Sequence, residues 1–169
     1  MSLEKNKSHY SKFAKLLHWG FVILFVYGVA KQVDNINQLE DIAFFRFEIY
    51  FALIFLFLLS IRFIYMKKTQ RSSIPDDTPR VQKIAAKFVH NGMYILLAAT
   101  VFSGLLIGLI FSLNLKNTLI INITISIHEI IINLLYFLIV IHVIAAIYHR
   151  LKKDGVWNSM VPFLREKKN

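Results

Sequence analysis

The stretch HEIIINLLYFLIVIHVIAAIYH, residues 128–149, decides how this chain folds. It is apolar enough to sit in lipid, yet His128 and His142 stand 14 residues apart within it. On a helix rising about 1.5 Å per residue that interval spans roughly 21 Å. Fourteen steps of about 100° end some 40° short of whole turns, so both imidazoles project from one face. Two histidines on one face, near opposite sides of a hydrocarbon core about 30 Å thick, can hold two redox centres stacked across a membrane.

The composition agrees with a membrane setting. Of 169 residues 56% are hydrophobic and 15 are Phe, and the mean hydropathy is +0.54. A soluble domain of this size has to divide its apolar residues between core and wetted surface and does not reach such values. One membrane domain of four spans over residues 1–169 is expected: an all-α, integral membrane four-helix bundle. There is no cysteine. Disulfides, thiolate-bound iron–sulfur clusters, covalent c-type haem attachment and cysteine nucleophiles are therefore excluded. No cleavable signal is expected, because no small-residue cleavage site follows the first apolar stretch.

In chain order, a basic segment with Lys5, Lys7, Lys12 and Lys15 against Glu4 leads into a first span over about 13–33, with Leu17-His18-Trp19 near its start. Lys15 and Lys31 are placed to snorkel to the two surfaces. A loop with Asp34, Glu40 and Asp41 precedes the second span, about 42–66, which carries Arg46 and Glu48 at its start and Arg62 near its end. A basic connection follows, with Lys67, Lys68 and Arg71; its Pro75 and Pro79 break any helix. Lys83 and Lys87 open an interfacial helix before the third span, about 90–111, where Gly92, Gly104 and Gly108 allow close helix approach. Residues 112–127 are interrupted by Asn and Ser and are expected outside or along the interface, leaving 128–149 as the fourth span.

Lysine and arginine crowd the N-terminus, the 67–87 connection and the C-terminal tail, while the 34–41 and 112–127 connections have only Lys116. The positive-inside rule puts both termini in the cytoplasm. The net charge of +10 follows this topology, no soluble recognition domain remains, and a nucleic-acid partner is not expected.

Five of the six histidines, His18, His90, His128, His142 and His149, lie in or at the ends of spans. Ionisable groups in a membrane are costly and mark functional paths, although any single histidine can also cap a helix or bond across helices. The topology sets levels: His18 and His142 lie toward the cytoplasm and His128 toward the outside. His18 and His142 can meet at one height and clamp a b-type haem through both axial positions, giving a low-spin electron carrier. His128 needs a partner on the second helix. Fourteen residues back from Arg62 stands Glu48, with Arg46 nearby.

The chain resembles the prokaryotic cytochrome b561 family, related to the b-type cytochromes of nickel–iron hydrogenases. The matching pieces are Leu17-His18-Trp19, Ser60-Ile61-Arg62, His90 with Tyr94-Ile-Leu-Leu and Gly104, and His128-Glu129 with His142, Ala145-Ala146 and His149; the tail Lys152-Lys153-Asp154-Gly155…Met160-Val161-Pro162 also fits. The resemblance implies two b haems in a bacterial inner membrane, moving electrons between a quinone and a partner. Its ligands fall on His18 with His142, and on His128 with a second-helix histidine. Glu48 takes that last position here, and three arrangements stay open. The outer haem is absent and Glu48 bonds His128 or Arg46; or a haem sits on His128 alone, with an open iron position; or Glu48 ligates iron directly. His90, His149 and Arg62 are expected near one another as a quinone site, as a contact to haem propionates, or as headgroup contacts.

The expected function is haem-b electron transfer between the quinone pool and an outer-face donor, either a redox partner protein or a small species such as superoxide. One alternative is the membrane cytochrome subunit of a larger dehydrogenase or hydrogenase. From another class comes a non-redox four-helix membrane protein. Its divalent-metal site would need clustered ligands, which the roughly 21 Å between His128 and His142 does not offer.

Overall fold

The computed structural model describes residues 10–33, 35–70, 72–115 and 118–164. Glu4, Lys5, Lys7, Asp34, Arg71 and Lys116, which enter the charge pattern, lie outside the described residues. Among the described residues all regular elements are helical. Helix α1 is Lys12–Ala30, α2 is Ile42–Thr69, α3 is Arg80–Ser112, α4 is Leu119–Lys152 and α5 is Val156–Met160, with a 3-10 turn Ile36–Glu40 before α2.

The first four helices are each long and apolar enough to cross a membrane. Much of their apolar surface points outward, as at Ile23, Phe57, Phe102 and Ile144. In water that much exposed apolar surface would drive aggregation, whereas lipid chains accept it. Helices also close their own backbone hydrogen bonds, the condition for crossing hydrocarbon. The chain runs up and down through the bundle, so the start of α1 and the end of α4 lie at one end, here termed the terminal end.

Local chemistry explains where each helix begins. Ser11 caps α1, accepting from the Ala14 amide at 3.1 Å. Its backbone amide also donates to Gln70 Oε1 at 3.1 Å, tying the start of α1 to the end of α2. Asp41 caps α2 by accepting from the amides of Ala43 and Phe44. Helix α3 starts directly after Pro79, about three turns before His90, and so takes in the interfacial start expected at Lys83 and Lys87.

Residues 112–127, expected outside or along the interface, do not form a separate connection: α4 begins at Leu119 and runs unbroken through residues 119–127 into the histidine stretch. No Gly or Pro interrupts this segment. The Thr124 hydroxyl donates to the Ile120 carbonyl at 2.8 Å, so that polar side chain is satisfied inside the helix. Ile121 is fully buried and Thr124 nearly so, which anchors the first turns against the bundle. At 34 residues the helix is about 51 Å long and extends beyond a 30 Å core.

Helix α1 packs on α2, α2 on α3, and α3 along most of α4, while α1 and α4 approach each other less closely. Phe21, Phe55, Leu59, Leu97, Val101 and Leu135 form the buried core. Small residues set the close approaches. A Cβ on Gly108 would sit 3.0 Å from Ile49 Cδ1, and one on Gly92 only 2.8 Å from Leu138 Cδ1. Between α4 and α5 the chain turns through Lys153 and Gly155, both at positive φ, and Asp154 Oδ1 accepts from the Val156 amide at 3.2 Å. The Lys-Asp-Gly sequence of the tail is thus a turn motif, with glycine where φ reaches 87°.

Candidate functional site

Across the wider gap between α1 and α4, the rings of Phe25 and Tyr136 meet edge-on with centroids 6.4 Å apart. This rung sets the register of the two helices. His18 lies seven residues from Phe25 toward the terminal end, and His142 lies six from Tyr136 in the same direction. The two histidines therefore stand at heights that differ by about 1.5 Å. Both are half-buried. His18, His90, His142 and Arg62 are close enough for their charges to act on one another.

Arg62 is the unusual member. Its Nη2 lies 2.6 Å from His18 Nδ1. The guanidinium is held over the rings of Phe21 and Tyr94, at 5.3 and 5.5 Å from their centroids. Its Nε is buried with no hydrogen-bond partner, and among the described residues no carboxylate pairs with it. Aromatic faces stabilise a cation only modestly. A guanidinium inside a bundle without an anion leaves both charge and donor capacity unmet. An acidic ligand group at this height is what the chemistry calls for.

The neighbouring histidines are held differently. A guanidinium only donates, so His18 Nδ1 accepts, and the proton of the neutral ring sits on Nε2. Binding a metal through Nε2 requires Arg62 to give up this bond, and its unpaired Nε shows that the guanidinium is not fully satisfied where it stands. His90 Nδ1 lies 2.7 Å from the Ala86 carbonyl, which fixes its proton on Nδ1. Its ring meets that of His142 edge-on at 4.9 Å. His149 does not join this group: its Nδ1 donates to Asp154 Oδ2 at 2.7 Å, and Lys152 reaches the same oxygen at 3.9 Å. So His90 takes His142 as its neighbour, and His149 takes the turn after α4.

At the opposite end His128 is half-buried, with Nδ1 2.7 Å from Ser103 Oγ. A Cβ on Gly104 would lie 3.4 Å from its Cε1, which places the imidazole against α3. Gly28 against Phe51 fixes α1 beside α2. Carried across the Phe25–Tyr136 rung, this puts Glu48 level with about Ile130, roughly 3 Å in height from His128. Glu48 is half-buried and Arg46 exposed, and neither makes a hydrogen bond or ion pair among the described residues. Beyond them a cleft of about 500 Å³, lined by Leu39, Glu40, Ile42, Phe45, Phe111, Ser112 and Asn114, opens at this end.

Among the described residues no three His, Cys, Asp or Glu side chains cluster as a metal-ion site. A haem needs only one or two protein ligands, because its ring supplies the other four. A family model described as prokaryotic cytochrome b561 matches residues 9–163. The chain belongs to the prokaryotic cytochrome b561 family. No curated protein and no solved structure matches it. The family is one of haem-b membrane electron-transfer proteins, and the residues fit its cofactor. His18 and His142 stand at one height on α1 and α4, and the guanidinium beside them, with Nε lacking a partner and no carboxylate among the described residues, suits a haem propionate.

Two participants were not legible in the sequence. Ser103 and Phe21 carry no motif of their own, and Asp154 was read as part of the tail without its bond to His149. Ser103 adjoins Gly104, and such a pair of small residues signals helix contact without naming the histidine it meets.

Proposed function

We propose that this protein is a haem-b electron carrier of the bacterial inner membrane, with both termini in the cytoplasm, passing electrons between an outer-face donor and the quinone pool. The observation that carries this proposal is Arg62, a half-buried cation whose Nε is buried without a partner and which has no carboxylate partner among the described residues, beside His18 and level with His142. When bound, haem b supplies a one-electron iron couple.

The roles of the chain's own residues follow. His18 and His142 would hold the haem iron through their imidazoles. Arg62 would hold a haem propionate, with charge-assisted bonds to an anion in place of its bond to the neutral His18 ring. Phe21 and Tyr94 keep the guanidinium in place and exclude water from around it. At the cytoplasmic end Asp154 holds the His149 proton on Nδ1 and leaves Nε2 as an acceptor. A histidine so oriented can take a proton from a quinol hydroxyl, which electron transfer from a quinol requires. At the outer end the 500 Å³ cleft gives a donor a place to approach.

A test is to place the purified, haem-loaded protein in lipid nanodiscs and add a short-chain quinol while following haem absorbance. Quinol should reduce the haem, and His149→Ala should slow that reduction by about 10-fold or more, the usual scale of a lost proton acceptor. Haem that dithionite reduces and quinol does not would contradict the quinone assignment.

A further inference from the structure

The contact between Ser103 and His128 is more specific than a chance hydrogen bond, because the hydroxyl's one proton is already committed. Ser103 Oγ lies 2.7 Å from the Ala99 carbonyl and 3.1 Å from that of Thr100. A carbonyl can only accept, so the hydroxyl donates down its own helix. What it offers His128 is a lone pair. His128 must therefore be the donor, with its proton on Nδ1, and in the neutral ring Nε2 is left unprotonated. A chain of two bonds, from His128 Nδ1–H to Ser103 O–H to a backbone carbonyl, sets which nitrogen of the imidazole is free to bind.

The surroundings agree. The ring lies beside Gly104, where an added Cβ would come into contact with Cε1 at 3.4 Å. With Nδ1 bonded to Ser103 on α3, Nε2 is the ring nitrogen left without a protein partner among the described residues. Glu48 on α2 stands within about 3 Å of the same height.

We infer that Ser103 is a positioning residue, which dedicates His128 Nε2 to the iron of an outer haem and raises the donor strength of the ring by accepting its Nδ1 proton. This rests on the haem-b reading above. A histidine that ligates iron commonly has its other nitrogen oriented by such a partner, and the partner tunes both metal affinity and redox potential. A hydroxyl bonded to the carbonyl of residue i−4 also occurs with no other role in membrane helices, and the experiment separates that case.

The experiment uses full-length, haem-loaded protein and compares wild type with Ser103→Ala, Ser103→Thr and His128→Ala. Haem per polypeptide, the reduced spectrum and the midpoint potential of each haem are measured. Wild type should carry two haems and His128→Ala one. Ser103→Ala should raise the midpoint potential of the outer haem, because a weaker imidazole donor stabilises ferric iron less, and should weaken outer-haem binding by about 10-fold or more. The inner haem should be unchanged, which also shows that the fold is intact. Ser103→Thr keeps the hydroxyl and should retain wild-type properties. Unchanged outer-haem content and potential in Ser103→Ala would overturn the proposal, as would a wild type with one haem that His128→Ala leaves untouched. A protein with no haem at all would instead overturn the underlying cytochrome assignment, and the proposal with it.

Discussion

The two histidine levels of the bundle are built on opposite hydrogen-bond logic. At the terminal end a cation donates to the imidazole, Arg62 to His18, and the donor itself is left short of partners. At the other end a hydroxyl with its proton already spent accepts from His128. One level is poised around an unmet positive charge. The other is internally satisfied on α3 and stands within about 3 Å in height of the Glu48 carboxyl on α2. The difference shows that a 14-residue repeat of histidine on one helix does not make two equivalent sites, because the neighbouring helices decide what each imidazole can do.

The comparison breaks most severely at His142. His142→Ala should abolish the low-spin haem signal while leaving any haem held by His128. An unchanged low-spin spectrum would refute the His18 and His142 pairing. Next in size is the unmet charge. Arg62→Leu removes a charge-assisted bond worth about 1.5–3 kcal/mol, and inner-haem affinity should fall by about 10- to 100-fold. Haem-transfer kinetics to an apoglobin acceptor would measure it, and loss of the outer haem alone would contradict the assignment. The smallest change sharpens the outer level. Glu48→His should supply a second imidazole opposite His128 and convert the outer haem to a six-coordinate low-spin form, read by electron paramagnetic resonance. No change in the outer signal would mean that position 48 does not face the iron.

Much of the fold was legible because hydropathy and the membrane's demands leave few choices. Four apolar stretches with charged ends can only be spanning helices. The break expected at 112–127 was not found because Asn122, Thr124 and Ser126 look like loop residues, while in an apolar setting such side chains are satisfied within the helix, as Thr124 is. The matched heights of His18 and His142 could be counted from topology, and the Phe25–Tyr136 rung gives the same register. The hydrogen-bond partners could not be counted. Ser103 meets His128 across 25 residues of sequence, and Arg62 meets His18 across 44. Such pairs depend on how helices rotate against one another, which the aromatic and glycine contacts between helices set. His149 was expected beside His90, but Asp154 lies five residues away on the same chain and reaches it first through the left-handed turn at Lys153.

The central claim is a b haem held between His18 and His142. Its most direct test is the dithionite-reduced minus oxidised absorption spectrum of the purified wild-type protein, with haem quantified per polypeptide. A sharp reduced alpha band of a low-spin b haem, at one haem or more per chain, is the expected result. A spectrum with no such band would contradict the claim.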